Sequence, residues 1–402
     1  MVNEIEFSVI AFTSAVDNYL QPLLDIFSWQ HNAKVRLQVM EWETAWADLV
    51  KVALYSHGAD VSLIGSTWVG NLVVMNSLRP FVVADVEMLG GEASFLEPAW
   101  RSVSLMGDET VWAIPWLADT RLIYYRRDWL ERAGIEEATA FATPAHMEHT
   151  LECLRESGCD LPWAMATRRS LSLMHYLASW VWGAQGDFIS ADGRTILFNR
   201  SEAREGMRNY FGLRRFLTPE TQHLNDQQAG QLLTAGRAAA ALGGPWIWLV
   251  ALGRLRATNP ELADNIGVTF PPGVPWVGGI NLVIWKHTCD AQLALSLVRY
   301  LTSAPVQTSL PRLAGYVPVR SHALTMAALA EDPLMQRLQT GLQKGRPFWP
   351  LPLWGLVEDK LSLALGNIWE ELLAESPAEL EVILDRHLEP LARRLGITLS
   401  NL

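Results

Sequence analysis

The first 64 residues switch repeatedly between two hydrophobic periods. Residues 4–12 alternate apolar and polar side chains and then run apolar, as a strand entering a core does. Thr13 and Ser14 follow as N-cap candidates, and residues 16–31 space Leu20, Leu23, Leu24 and Phe27 at helical intervals. Residues 34–40 alternate again, with Val35, Leu37 and Val39 on one face. Residues 46–56 read as a helix stopped by Gly58, and residues 59–64 as a short apolar strand. Strand–helix–strand–helix–strand order implies an α/β domain built on a parallel sheet. Ligands of such sheets gather at the carboxyl ends of strands. Here those ends carry Thr13 and Ser14, then Trp42, Glu43 and Thr44, then Ser66, Thr67 and Trp68.

The chain continues for 402 residues, enough for two or three domains at roughly 150 residues each. Strand signals recur at 112–115 and 122–125, at 238–242, at 266–270 and at 278–286; helical patterns occupy 144–156, 170–182, 201–216, 225–235 and 291–301. The last hundred residues are mostly helical, most clearly at 356–373 and 378–395. With no internal repeat and no low-complexity tether, two lobes must be joined by segments that cross between them.

Composition excludes several classes. Hydrophobic residues make up 50% and charged residues 19%, the balance of a globular protein. Net charge is −11 with acid and base interspersed, and no Lys/Arg-rich run offers a nucleic acid a footprint. No apolar run reaches the roughly 18 residues of a membrane span. The three cysteines, Cys153, Cys159 and Cys289, are too few for a disulfide framework, although Cys153 and Cys159 are close enough in sequence to pair in an oxidising compartment. No Cys/His group has metal-ligand spacing. Eighteen tryptophans against eight tyrosines are the compositional anomaly. Most should be core; a minority should present a flat face to something outside.

Several segments, in order, resemble the extracellular solute-binding proteins of ABC importers, in the carbohydrate-binding family that includes maltose-binding protein. Residues 109–134 carry the Pro115 turn, Asp119, then Leu122-Ile123-Tyr124-Tyr125 and a helix ending at Ala133-Gly134; Arg126 stands where the family commonly has Asn. Thr143-Pro144 opens the next helix. Ala235-Gly236-Arg237-Ala238-Ala239-Ala240 with Gly243-Gly244-Pro245-Trp246, the glycine pair Gly278-Gly279, and Gly315-Tyr316-Val317-Pro318-Val319-Arg320 complete the set. The resemblance implies a type II periplasmic-binding-protein-like α/β fold, each lobe a sheet flanked by helices. It puts residues 1–117 and 273–317 in an N-terminal lobe and 118–272 and 318–402 in a C-terminal one, with hinge crossings near 117–121, 269–272 and 316–318. It also implies a monomer that closes on a mono- or oligosaccharide in an inter-lobe cleft and delivers it to the transmembrane permease of an ABC importer, with no cofactor and no metal.

A pyranose offers C–H faces to aromatic rings and hydroxyls to polar side chains. By resemblance Trp246, Trp68 and Trp354 would stack on sugar rings, Asp119 would accept sugar hydroxyls, and Tyr176 lies within one or two positions of another aromatic contact. From position alone, Ser14, Trp42, Glu43, Trp276 and Arg320 are further candidates, and Gly278 and Gly279 would let backbone N–H groups approach a ligand. For each tryptophan the competing reading is a core ring; for Asp119 it is a salt bridge.

Other classes are weaker. A glycoside hydrolase would need two carboxylates facing one bond, for which Glu43 and Asp119 are the available pair. Nucleophile elbow, P-loop, dinucleotide and zinc-helix motifs are absent. Met1-Val2-Asn3-Glu4 leads directly into a strand, with no basic region or apolar h-region before it. The expectation is therefore an extracytoplasmic protein, periplasmic or lipid-anchored, whose export signal has been removed. The alternatives are a cytoplasmic or membrane-linked sensory domain of the same fold, and an importer component for a polyol or glycerophosphodiester.

Overall fold

The computed structural model describes residues 3–11, 16–310, 315–325, 332–376 and 378–400. Its strands, in chain order, are β1 (Asn3–Ile10), β2 (Ala33–Met40), β3 (Val61–Gly65), β4 (Leu78–Arg79), β5 (Ile114–Thr120), β6 (Leu122–Arg126), β7 (Ala240–Gly243), β8 (Ile266–Thr269), β9 (Val277–Trp285) and β10 (Val317–Pro318). The chain divides into two compact units. The first holds 1–119, 277–343 and 347–355, and the second 120–276, 344–346 and 356–402.

In the first unit a seven-stranded sheet runs β10-β5-β9-β3-β1-β2, with β4 also on β9. β1 pairs in parallel with both β2 and β3, the arrangement the strand–helix alternation predicts. β9 then pairs antiparallel with β3, so the sheet is mixed rather than parallel throughout. Ile5, Phe7, Val9, Val61 and Leu63 are fully buried, and helix Val16–His31 covers them with Leu20, Leu24 and Phe27. β2 is an edge strand whose exposed Arg36 donates to Glu4 and Glu6 of β1 at 2.7 and 3.2 Å; such charges discourage edge-to-edge pairing. In the core, Trp285 Nε1 donates to Ser62 Oγ (2.6 Å), which bonds Ser8 Oγ (2.6 Å), so the buried hydroxyls and indole satisfy one another.

The second unit has a three-stranded antiparallel sheet, β7-β6-β8. Its strands are short, and helices supply most of the core. Helix Ser172–Gly183 is nearly all buried and packs on helix Ser201–Gly212. Gly206 permits that contact: a Cβ there would stand 2.5 Å from Trp180 O. Tyr210, Phe211 and Trp369 pack edge to face, with centroids 5.7 and 5.1 Å from Trp369 to the first two.

Helix and strand positions read from periodicity agree with the structure to within a few residues at 144–156, 170–182, 225–235 and 291–301. Two expectations change. Residues 42–44 are the first turn of helix Trp42–Tyr55, not a loop: Glu41 is its N-cap, with its carbonyl accepting from Ala45 N at 2.8 Å. Residues 316–318, expected as a third crossing, pair β10 with β5 inside the first unit; the chain changes unit instead at 119/120, 276/277 and 355/356, apart from residues 344–346. The described residues 318–325, 332–343 and 347–355, placed in the C-terminal lobe from sequence, therefore pack with the first unit.

Candidate functional site

The second unit contains a continuous run of aromatic and charged groups. Arg121, the residue before β6, is 6% exposed, and its guanidinium lies 4.8 Å from the Tyr176 ring and 4.9 Å from the Trp276 ring, within cation–π range of both. His175 stacks on Trp276 at 4.1 Å with ring planes 12° apart, and its Nε2 is 3.3 Å from Oε1 of buried Glu358. Arg121 NH1 donates to the Thr120 carbonyl (2.8 Å), while Thr120 Oγ1 donates to the Trp276 carbonyl (2.6 Å). At the far end the Tyr176 hydroxyl donates to Asp226, whose second oxygen accepts from Trp246 Nε1 at 2.7 Å. Trp246 is half-buried, at the end of the turn that follows β7, whereas Tyr176 and Trp276 are buried. Helices Ser172–Gly183 and Asp226–Thr234 and strands β6 and β7 thus bring Trp246, Tyr176 and Trp276 into one network.

The first unit brings together a second aromatic pair. Trp68 ends the 3₁₀ turn Ser66–Trp68 after β3 and is 8% exposed. Its ring lies 5.4 Å from that of Trp46 at 57° and covers Gly65, where a Cβ would stand 3.3 Å from it. Asp119 is half-buried in β5.

The remaining candidates sit elsewhere. Trp354 is 1% exposed at the start of helix Trp354–Leu372, stacked on Phe348 at 4.7 Å. Arg320 donates from Nε to Thr302 O (2.8 Å), from NH2 to Thr302 Oγ1 (3.3 Å) and from NH1 to Ser94 Oγ, with its guanidinium 3.9 Å from the Phe95 ring. It ties three segments of the first unit together; burial pushes its pKa down to about 10, so it stays charged at neutral pH. Gly279 has φ +137°, and a Cβ there would lie 2.2 Å from Leu117 O, so the glycine serves the approach of β9 to β5. Its neighbour Gly278 is buried on β9. Ser14 lies outside the described residues, as do the side chains of Trp42 and Glu43.

Arg121, His175, Asp226 and Glu358 escaped sequence reasoning. Asp226 follows an Asn cap and reads as an ordinary acidic first-turn residue; nothing local marks its role as an acceptor for Trp246. The two carboxylates of the run already accept from their neighbours, and among the described residues no group of three or more His, Cys, Asp or Glu is placed to hold a metal ion. Arg121 lies over the buried Tyr176 and Trp276 rings and His175 stacks on Trp276, which leaves Trp246 as the half-buried ring of the run.

The sequence model for bacterial extracellular solute-binding proteins matches residues 23–337. Three solved structures are similar over nearly the whole chain. The sugar-binding protein MalE of Xanthomonas citri is 19% identical with a TM-score of 0.82, covering 99% of this chain and 98% of that one. Maltose-bound MalE3 of T. maritima is 19% identical with a TM-score of 0.82, covering 98% and 99%. An ABC transporter solute-binding protein of Thermotoga lettingae TMO bound with α-D-tagatose is 19% identical with a TM-score of 0.80, covering 98% and 100%. At that identity the likeness carries the type II periplasmic-binding-protein fold.

Proposed function

We propose that this chain, which belongs to the bacterial extracellular solute-binding protein family, binds a carbohydrate on its aromatic side chains and hands it to the permease of an ABC importer without chemical change. The observation that carries the reading is the half-buried Trp246 indole, held by Asp226 at the end of a run that includes Tyr176, Arg121 and Trp276. An immobilised indole edged by hydrogen-bonding groups suits a pyranose, whose C–H face needs a flat apolar partner. The sugars that the similar MalE3 and Thermotoga lettingae proteins hold support the same ligand class. In this reading the two compact units are the two lobes, with chain crossings at 119/120 and 276/277. Trp68 and Asp119 are the sugar-binding candidates that the first unit carries, and the protein works outside the cytoplasm as a monomer. Delivery requires that the liganded form differ from the empty one, and a ligand shifts that balance only by its differential affinity for the two forms.

The test is a thermal-shift and calorimetric screen of the purified protein against maltose, D-tagatose, D-mannitol and glycerol phosphates, with chromatography of each sugar afterwards. A ligand at 100 times its Kd should stabilise the protein by about 2.7 kcal/mol. Binding of one sugar class with the sugar recovered intact is the expected result. Hydrolysed sugar would establish an enzyme instead, and a response confined to polyols or glycerol phosphates would replace the sugar with that class.

A further inference from the structure

Three elements of the second unit converge on the Trp246 indole. The first is Asp226. Helix Asp226–Thr234 is already capped by Asn225, whose Oδ1 accepts from Gln228 N (2.8 Å) while Gln228 Oε1 accepts from Asn225 N (2.9 Å). This reciprocal box leaves the Asp226 carboxylate for other work. Its Oδ2 accepts the indole N–H at 2.7 Å, and its Oδ1 accepts the hydroxyl of Tyr176, which is 1% exposed and carries Arg121 over its ring. Bonds to an ionised acceptor are roughly twice as strong as neutral ones.

The second element is Gly230, one turn along the same helix. A Cβ there would lie 2.7 Å from Trp246 Cη2 and 2.8 Å from Cζ2, so only glycine lets the indole edge rest against the helix. The third is the segment after Trp246: residues Ile247–Leu252 form a π-helical turn, with Ile247, Trp248, Leu249 and Leu252 buried. Such turns are rare and frequent at functional sites. The turn anchors the backbone of Trp246, the carboxylate holds its N–H, and Gly230 receives its six-membered edge. Together they set both side-chain torsions.

We infer that Asp226 is the positioning residue for Trp246 and, with Tyr176 and Gly230, forms a seat that holds the indole in one plane before any sugar arrives. The inference rests on the reading of Trp246 as a stacking ring. A ring already in place spares the ligand the cost of ordering it, which for one side chain corresponds to roughly a three- to tenfold gain in affinity.

The experiment uses full-length protein labelled with ¹⁵N-tryptophan, the Trp246 indole signal being assigned by its loss in Trp246→Phe. Wild type, Asp226→Ala, Asp226→Asn and Gly230→Ala are compared for the position and solvent-exchange rate of that signal without sugar, and for affinity towards maltose, D-tagatose and D-mannitol. Asp226→Ala and Gly230→Ala should move the Trp246 signal, speed its exchange, leave most other indole signals in place, and weaken binding roughly three- to tenfold. Asp226→Asn, whose amide oxygen still accepts from the indole, should recover part of both effects. In a Trp246→Phe background Asp226→Ala should cost little further affinity, because the two act as one unit. An unchanged Trp246 signal in Asp226→Ala, or an undiminished affinity loss in the Trp246→Phe background, overturns the seat. Wild-type affinity in Trp246→Ala would instead remove the stacking reading, with the sugar-free exchange rates still deciding the seat.

Discussion

The two units use tryptophan in different ways. In the first, Trp116 and Trp285 are fully buried against a sheet with strands up to nine residues long, and their N–H groups end on the Leu301 carbonyl and the Ser62 hydroxyl. Here the rings fill a core that aliphatic strand residues already define. The second unit's strands are four or five residues long, and aromatic side chains on helices make much of its core. Carboxylate acceptors occur in both units: Trp112 of the first donates to Asp108, and Trp182 and Trp246 of the second donate to Asp187 and Asp226. The acceptor type therefore does not separate the units; Trp246 differs in that its carboxylate, Asp226, also accepts from the buried Tyr176, whose ring lies under Arg121.

Replacement of a core ring in the second unit gives the largest effect and tests whether aromatic packing holds that unit together. Trp369 is fully buried between Tyr210 and Phe211. Trp369→Ala should cost about 3–5 kcal/mol of unfolding free energy by denaturant titration. A loss below about 1 kcal/mol would mean that the aliphatic side chains carry the unit. The counterpart in the first unit is Gly279→Ala. Its φ of +137° alone costs an L side chain about 1–3 kcal/mol, and the contact with Leu117 O adds to that. The expected outcome is a loss of about 3 kcal/mol. An unchanged midpoint would return Gly279 to the role expected from sequence, backbone approach to a ligand.

Trp246→Ala reverses the pattern. The residue is half-buried, so unfolding free energy should change by less than about 2 kcal/mol, while sugar affinity falls about thirtyfold, the equivalent of about 2 kcal/mol of lost apolar contact. Calorimetry alongside denaturant titration separates the two quantities. Equal losses in both would make Trp246 one more core ring and erase the distinction between the units.

The difference between the units also explains what could be read in advance. Alternation in β2 and in β1 up to Val9, and helical spacing at Leu20, Leu24 and Phe27, are local signals, and they locate the elements of the first unit closely. Helix Trp42–Tyr55 begins earlier than expected because Glu41, which makes no side-chain cap bond, is not a recognisable N-cap. The unit to which residues 318–325 and 347–355 belong depends on long-range packing, such as β10 on β5 and Arg320 on Thr302 and Ser94, which periodicity does not encode. The sequence marks Trp246 as a candidate because it ends a glycine- and proline-marked turn. It does not mark Asp226, whose hydrogen bond with Trp246 spans 20 residues and whose local context is that of any helix start.

The smallest effect uses the cysteines as reporters. Cys289 of the first unit is exposed, Cys153 of the second is half-buried, and Cys159 of the second is 4% exposed. Burial raises the pKa of the Cys159 thiol, so at pH 8 it holds less thiolate than a solvated cysteine, and thiolate is the reactive form. With an aromatic disulfide reagent Cys289 should label first. Cys159 should label at least about a hundredfold more slowly, the factor imposed by roughly 2.7 kcal/mol of local opening. Because Cys159 sits beside the β7 segment, with its N–H on Leu154 O and Leu161 O accepting from Ala239 N, its rate reports opening of the second unit alone. A sugar bound at Trp246 should slow Cys159 labelling and leave Cys289 unaffected. Equal slowing of both thiols would show that ligand stabilises the two units together, and the contrast between them would then describe packing rather than binding.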